Sequence, residues 1–300
     1  MKKNEKQKPK RKGPSSTLIL ILVFVIGLSV MLYPSISNYL NSLRGVQAVY
    51  SYDSALQNAD EADLQRMLIE AQEYNAELAK SESMALRNGE PKDEKYAELL
   101  DIDGSGMMGV VYIKKLQVTL PIYHGTAEET LARYAGHIEG SSLPVGGEST
   151  HSVISAHRGL PAAKLFTDLD KLELGDNFTV TTLGQSMSYM VDDIQIISPS
   201  EADKVKIIPG EDHVTLLTCT PYGVNTHRLL VRGIRTDAPD ALIVLADAMK
   251  LDPVIVSPLV AAPMLLILLL ILLFGPKKKK EMTLDDVKEI AKDGDRNESK

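Results

Sequence analysis

The chain's single cysteine, Cys219, ends the apolar run "VTLLTC" and is followed at once by "TPYG", where the backbone must turn. A lone cysteine is by default a small buried hydrophobe. At a strand end beside a turn, the thiol is instead placed to meet solvent and substrate. To act as a nucleophile it needs deprotonation, a proton donor for the leaving group, and positive charge or N–H dipoles where an oxyanion forms. Arg228 heads the run "RLLVRGIR", which would pair back antiparallel to the cysteine strand and set a guanidinium beside the thiol. Its planar fork suits a carbonyl or oxyanion better than a lysine does, with a plain surface charge as the alternative. Among the six histidines, His157 in "VISAHRG" ends an apolar strand ahead of a glycine, mirroring Cys219, and is the acid–base candidate. His227 adjoins Arg228, and strand alternation points those two side chains to opposite faces. Thr218 could orient an acyl group or simply pack, and His137 and His151 could line a groove or make structural hydrogen bonds. Glu139 and Asp168 are not read as a third member of a cysteine-protease-like triad.

Composition closes other routes. One cysteine excludes an intramolecular disulfide framework and a thiolate-rich zinc site. The sequence carries no metal-spaced histidine cluster, no phosphate-binding glycine loop and no aromatic nucleic-acid platform, so neither metal nor cofactor is expected. A net charge of −7 argues against a nucleic-acid surface, which needs clustered Lys and Arg on the folded part. The basic clusters, "MKKNEKQKPKRK" and Lys277 to Lys280, each border an apolar run instead.

Those runs read as membrane spans. Thr17 to Tyr33 carries no charge and reaches the lower limit for crossing a hydrocarbon core of about 30 Å. A signal peptide is the rival reading. No small-x-small cleavage site stands out after the run, and an uncleaved anchor is the reading taken. Pro253 to Phe274 is apolar on every face, which a soluble core rarely accommodates. By the positive-inside rule both termini are cytoplasmic, and roughly Pro34 to Asp252 lies outside the membrane. A thiol left unpaired in that compartment leans toward reactivity.

Two textures divide the outer segment. From Ser37 to about Arg87 the pattern is helical, with Leu64, Met67, Leu68, Ala71, Tyr74 and Leu78 at spacings of three and four and Asp60 placed to cap. This reads as a helical hairpin packed on the main domain, followed by the turn-rich linker Arg87 to Lys95. Beyond Gly106 come short β-branched runs, "GVVYIKKLQVTLPIYHG", "HSVISAH", "NFTVTTLGQSMSYMVDDIQII", "HVTLLTCT" and "HRLLVRGIR", which argue a barrel or sandwich. One helical turn is expected within "AAKLFTDLDKLELGD".

Taken together, "TLLTC", Arg228 and the upstream "SAHRG" resemble the sortase family, whose signature is a Thr-Leu-x-Thr-Cys strand with a distant histidine and an arginine soon after the cysteine. The stretches "GHIEGSSLPVGGESTHSVISAHRGLPAAKLFTDLDKLELGD", "LPIYHGT" and "TPYGVNTHRLLVRG" resemble in particular the class C, pilin-polymerising sortases of Gram-positive bacteria. The resemblance runs from about Gly106 to Arg235. It implies a mainly β fold, an eight-stranded sortase-type barrel, here with a helical N-terminal extension and two transmembrane helices. The expected layout is a basic tail 1–16, an anchor 17–33, a helical region and linker 34–105, the catalytic barrel 106–240, a second span 253–274 and a tail 275–300. By position, the resemblance implies Cys219 as nucleophile, His157 as general acid and base, and Arg228 as the group holding substrate or oxyanion, with Thr218 and His137 as substrate-binding candidates.

The activity so implied is a cysteine transpeptidase, an acyl-transferring thiol protease. It cuts a Leu-Pro-x-Thr-Gly-like signal between Thr and Gly through a thioacyl enzyme and passes the acyl group to an amine. That amine is a lysine of the next pilin subunit, or a cell-wall precursor amine if the enzyme anchors surface proteins. The sequence departs from the class in one respect: no Asp-Pro-aromatic lid tripeptide precedes the barrel. A wall-anchoring sortase, a hydrolytic cysteine peptidase and an inactive membrane scaffold are the alternatives.

Overall fold

The computed structural model describes residues 14–80, 86–199, 201, 205–237 and 263–267. Helix α1 (Pro14–Asn58) begins in the uncharged apolar run and continues through Pro34 without a break. Among the described residues it contains the one helix segment, Ile21–Asn58, long and apolar enough to cross a membrane. The fold read from sequence had two such helices. The second run, residues 253–274, lies outside the described residues except for the helical stretch 263–267.

Helix α2 (Glu61–Ala79) follows after a two-residue break, in the segment read as helical. Asp60 occupies its N-cap position, but the side chain makes no capping bond. Leu68 and Ala71 enter the main hydrophobic core. Buried Asn75 bonds the backbone of Leu143 in both directions, donating at 3.0 Å and accepting at 2.7 Å. A fully satisfied buried amide docks α2 in one register, because any slip would strand its polar atoms. The short helix α3 (Glu94–Glu98), capped by Asp93 through Lys95 N and Tyr96 N, occupies the end of the segment read as linker.

The strands that follow close into an eight-stranded barrel. They are β1 (Met107–Ile113), β2 (Val118–His124), β3 (Ala135–His137), β4 (Thr150–Ser155), β5 (Asn177–Thr182), β6 (Gln185–Ile197), β7 (Asp212–Thr220) and β8 (His227–Thr236). A short helix α4 (Glu128–Leu131) precedes β3, and a 3-10 turn at Leu169–Lys171 supplies the helical turn expected before Gly175. Around the wall the order is β1, β2, β3, β4, β7, β8, β6, β5, closing back on β1. The β2–β3 and β4–β7 pairings are parallel, and the others are antiparallel.

Inward residues such as Val111, Ile154, Phe178, Leu216 and Val231 fill the barrel. A second apolar cluster, Ile138, Val153, Ile197, Val205 and Leu230, packs with Leu86 and Leu217. Adjacent Leu216 and Leu217 fall in different clusters, as a period of two demands, which puts the second cluster on the outer face of the wall. At Gly136 in β3 a Cβ would lie 2.2 Å from the Gly125 carbonyl oxygen, so the close β2–β3 approach requires glycine there. Tyr52 on α1 donates to Met108 O at 3.1 Å and accepts from Leu183 N at 3.0 Å, fixing the long helix to the barrel.

Candidate active site

Antiparallel pairing of β7 and β8 sets Cys219 directly opposite Arg228. Parallel pairing of β4 and β7 aligns Ser155 with Leu217, and Ala156 N still bonds Leu217 O at 3.1 Å. His157 follows two residues past the end of β4, and the same register continued would bring it level with Cys219. β7 and β8 therefore carry Cys219 and Arg228 side by side, and the segment leaving the adjacent end of β4 carries His157. The Cys219–Arg228 pair lies on the outer face, above Leu217 and Leu230, because Cys219 shares its side of β7 with Leu217. Cys219 is half-buried, so the thiol is neither core packing nor fully in water.

The surroundings hold each member differently. Arg228 Nη1 donates to Asn225 O at 3.2 Å and His227 O at 3.1 Å, so a carbonyl of the β7–β8 loop and that of the first residue of β8 orient the guanidinium. His157 Nε2 has no hydrogen-bond partner among the described residues and lies 3.7 Å from the exposed carboxylate of Glu128 on α4. An imidazole nitrogen buried without a partner has been left free to meet something else. The turn after His157 is fixed elsewhere: Phe166 N donates to His157 O at 3.1 Å, and Gly159 N donates to Thr167 Oγ1 at 3.1 Å. Its continuation is tied to α1, with Asn41 donating to Ala162 O and Asn38 accepting from Lys164 N, both at 2.8 Å.

The two proposed substrate contacts do not face this groove. Thr218 points inward and donates from Oγ1 to Ala156 O at 2.8 Å, joining β7 to β4. Its side chain is a strand clamp, as the alternation beside Cys219 requires. His137 is fully buried. Its Nε2 donates to Ser142 O at 2.9 Å while Nδ1 meets the Tyr96 hydroxyl at 2.9 Å. Burial pushes its pKa down to about 3, so it is a neutral structural imidazole. His151 behaves likewise: Nδ1 donates to Lys206 O and Nε2 accepts from Thr215 Oγ1, each at 2.7 Å, and burial lowers its pKa to about 4.

Glu139 is buried against Arg87 at 2.8 Å and Lys92 N at 2.8 Å, and Asp168 pairs with Lys171 at 2.8 Å, so neither carboxylate is engaged with His157. Among the described residues no group of three His, Cys, Asp or Glu is arranged to hold a metal ion. A cleft of about 410 Å³, lined by Val145, Glu148, Met187, Asp212 and Arg235, lies at the start of β7. That is about 23 Å along the strand from the cysteine, at the opposite end of the barrel.

Sequence reasoning passed over Arg158 and Glu128. The first was written in the "AHRG" motif, one residue from the histidine. Nothing in the local pattern around Glu128 announces its approach to His157.

Comparison with known proteins gives a consistent set of neighbours. A family model described as "Sortase domain" matches residues 111–236. Among solved structures, Streptococcus agalactiae sortase C1, in complex with MTSET, is 49% identical with a TM-score of 0.58, covering 62% of this chain and 96% of that one. Streptococcus pneumoniae sortase C is 43% identical with a TM-score of 0.57, covering 63% of this chain and 96% of that one. Among curated relatives, Bacillus anthracis sortase A is 24% identical over 134 residues, and the chain spans 61% of that protein's length.

Proposed function

The chain belongs to the sortase family, whose members are cysteine transpeptidases, and we propose that it is a membrane-anchored class C enzyme that joins pilin subunits. In this reading it cleaves a Leu-Pro-x-Thr-Gly-like signal between Thr and Gly and passes the acyl group to a pilin lysine. The observation that carries the reading is the half-buried Cys219 paired with Arg228 at the β7–β8 end, with His157 just past the neighbouring end of β4. The class C neighbours support the pilin role, since the Streptococcus pneumoniae sortase C structure bears on that protein's pilin substrate specificity.

The Cys219 thiolate attacks the threonine carbonyl carbon, forming a C–S bond. Arg228, its fork oriented by two carbonyls, holds the developing oxyanion. Collapse of the tetrahedral intermediate breaks the C–N bond to glycine, and protonated His157 gives its proton to the departing amine. A neutral lysine amine then attacks the thioester carbon. The C–S bond breaks, the thiolate returns, and the amine's surplus proton goes to His157.

The layout proposed around this site is an anchor at 17–33 at the start of α1, a helical region to 105, the catalytic barrel 106–240 and a second span at 253–274. Both termini are then cytoplasmic and the barrel is outside. Wall anchoring is the second reading, favoured by the missing Asp-Pro-aromatic tripeptide. Intact-mass spectrometry of the full chain in detergent with a Leu-Pro-x-Thr-Gly peptide tests the first step. The expected adduct has the mass of the peptide through its threonine and is absent from Cys219→Ala. Adding a pilin bearing the acceptor lysine, or a wall-precursor amine, then separates transfer from hydrolysis and one acceptor from the other. No adduct from a folded enzyme would remove the acyl-transfer reading.

A further inference from the structure

The ends of β4 and β7 are joined, on the side turned away from the groove, by two side-chain bonds that bracket the His157–Cys219 pair. Below it, Thr218 Oγ1 donates to Ala156 O at 2.8 Å. Above it, Arg158 Nη1 donates to Thr220 Oγ1 at 3.3 Å. His157 sits between Ala156 and Arg158, and Cys219 sits between Thr218 and Thr220. Each reactive side chain points outward from a segment held on both sides from within.

We propose that Arg158 is a positioning residue for the acyl transfer: its guanidinium bridges Thr220 and Asp170 and so holds the turn carrying His157 against the strand end carrying Cys219. This inference rests on the reading of that pair given under Proposed function. The Arg158 side chain is only 9% exposed, and its Nη2 pairs with Asp170 Oδ2 at 2.5 Å. Its Nε is buried with no hydrogen-bond partner among the described residues. A buried charge with one donor unsatisfied is a costly way to gain stability, and an apolar side chain of similar volume would serve packing better. What the arginine supplies is reach: a rigid fork can contact β7 and the 3-10 turn at once, which a lysine ammonium cannot do with the same geometry.

Other bonds of the turn support this assignment by what they omit. Phe166 N to His157 O and Thr167 Oγ1 to Gly159 N fix the turn to the segment that follows it in the chain. Tyr222 covers Gly159 so closely that a Cβ there would lie 3.1 Å from its ring, which closes the outer side. With Thr218 bonded to Ala156 O on one side of the pair, Arg158 to Thr220 is the side-chain link on the other, from the residue after His157 to the residue after Cys219.

The test compares Arg158→Met, Arg158→Lys, Asp170→Asn and Thr220→Val with the parent, using the full chain in detergent. Thermal melting, kcat and KM for peptide acylation, and the pH profile of Cys219 alkylation by iodoacetamide are measured for each. A misplacement of about 1 Å between reacting groups costs about 100-fold in rate. Arg158→Met is therefore expected to lose about 100-fold in kcat with KM within about twofold, and to displace the alkylation profile. Arg158→Lys is expected to recover melting temperature without recovering kcat, and Thr220→Val to add little once Arg158 has been replaced. A kcat within about threefold of the parent, or full recovery of kcat by lysine, together with an unmoved alkylation profile, would overturn the proposal. If the parent itself forms no acyl-enzyme, the acyl-transfer reading fails on that result. The alkylation profiles then decide Arg158 independently, because they need no substrate.

Discussion

Acid should destabilise this barrel, and the size of the effect can be worked from two buried imidazoles. His137 and His151 ordinarily titrate at 6.5, and burial lowers them to about 3 and about 4 in the folded chain. Between the folded and unfolded values the unfolded chain takes up a proton that the folded chain refuses. The unfolded state then binds more protons, so stability is lost as pH falls from above 6.5 toward 3 to 4. At pH 5 the unfolded chain is stabilised by about 1.5 pH units' worth of proton binding at each site, or about 2 kcal/mol per histidine relative to neutral pH. The two together give about 4 kcal/mol, a large part of a typical total of about 5–15 kcal/mol. His213, also lowered by burial, acts in the same direction. For a domain of this size each kcal/mol moves the melting temperature by about 2–4 °C, so a drop of about 8–16 °C between pH 7.5 and pH 5 is expected.

The assay is thermal unfolding of the full chain in detergent, followed by near-ultraviolet circular dichroism at the two pH values. His137→Gln removes one titrating group and should shrink the difference by about half, even if the variant is less stable overall. A pH dependence unchanged in His137→Gln would refute the linkage. Position matters here, because His137 is the register partner of Ile154 and Gly136 that of Ser155, two residues before His157. The acid limb of an activity profile therefore contains loosening of β3 against β4 as well as titration of the reacting groups. Melting curves taken at each pH separate the two.

Other expectations follow from the same geometry. Cys219→Ala removes a half-buried thiol and little volume, so the melting temperature should stay within about 3 °C while peptide adducts vanish from the mass spectrum. Arg228→Lys keeps the charge opposite Cys219 but loses the planar fork, and a fall in kcat/KM of about 100-fold is expected from peptide-cleavage kinetics. Near-parental activity would reduce Arg228 to a surface charge. Gly136→Ala drives a Cβ against Gly125 O and should destabilise by about 3 kcal/mol in denaturant titration. In intact cells, external protease should degrade the barrel and spare an epitope placed after Lys280. Loss of that epitope would reverse the proposed membrane orientation.

How much of this was legible in the sequence depended on chain distance. The β7–β8 hairpin could be read locally: an apolar run, a turn, and a second run placed Arg228 opposite Cys219, and the register agrees. Helix α2 was equally visible in the spacing of Leu64, Leu68 and Ala71. β3 escaped because three residues, Ala135–His137, are too short to show a period, and its glycine is there for a tight approach that sequence does not display. The inward aim of Thr218 was implied by the outward aim of Cys219, but the alternation fixes only which faces they take, not that Thr218 spends its hydroxyl on Ala156 O. For His137 the sequence left a groove role and structural hydrogen bonding both open. The buried tyrosine and serine partners that make it structural come from other segments of the chain.

His157 is the case where local reading could not have sufficed. It is brought to the rim that carries Cys219 because β4 and β7 run parallel, and a parallel pair cannot be closed by a hairpin. The crossover between them carries β5 and β6 and the loops around them, so the partner residues are far apart in sequence while their strands end at the same rim. Parallel strands finish together, and the antiparallel β8 begins where β7 finishes, so three strand termini converge on one patch of the outer wall. A reactive site at that patch can be adjusted through loop contacts such as those of Arg158, Asn225 and Glu128 while the barrel core stays packed beneath it. If that division holds, substitutions in the three loops should change kcat with little change in melting temperature. Substitutions of Leu216 or Val231, in the core directly beneath, should lower melting temperature and activity together.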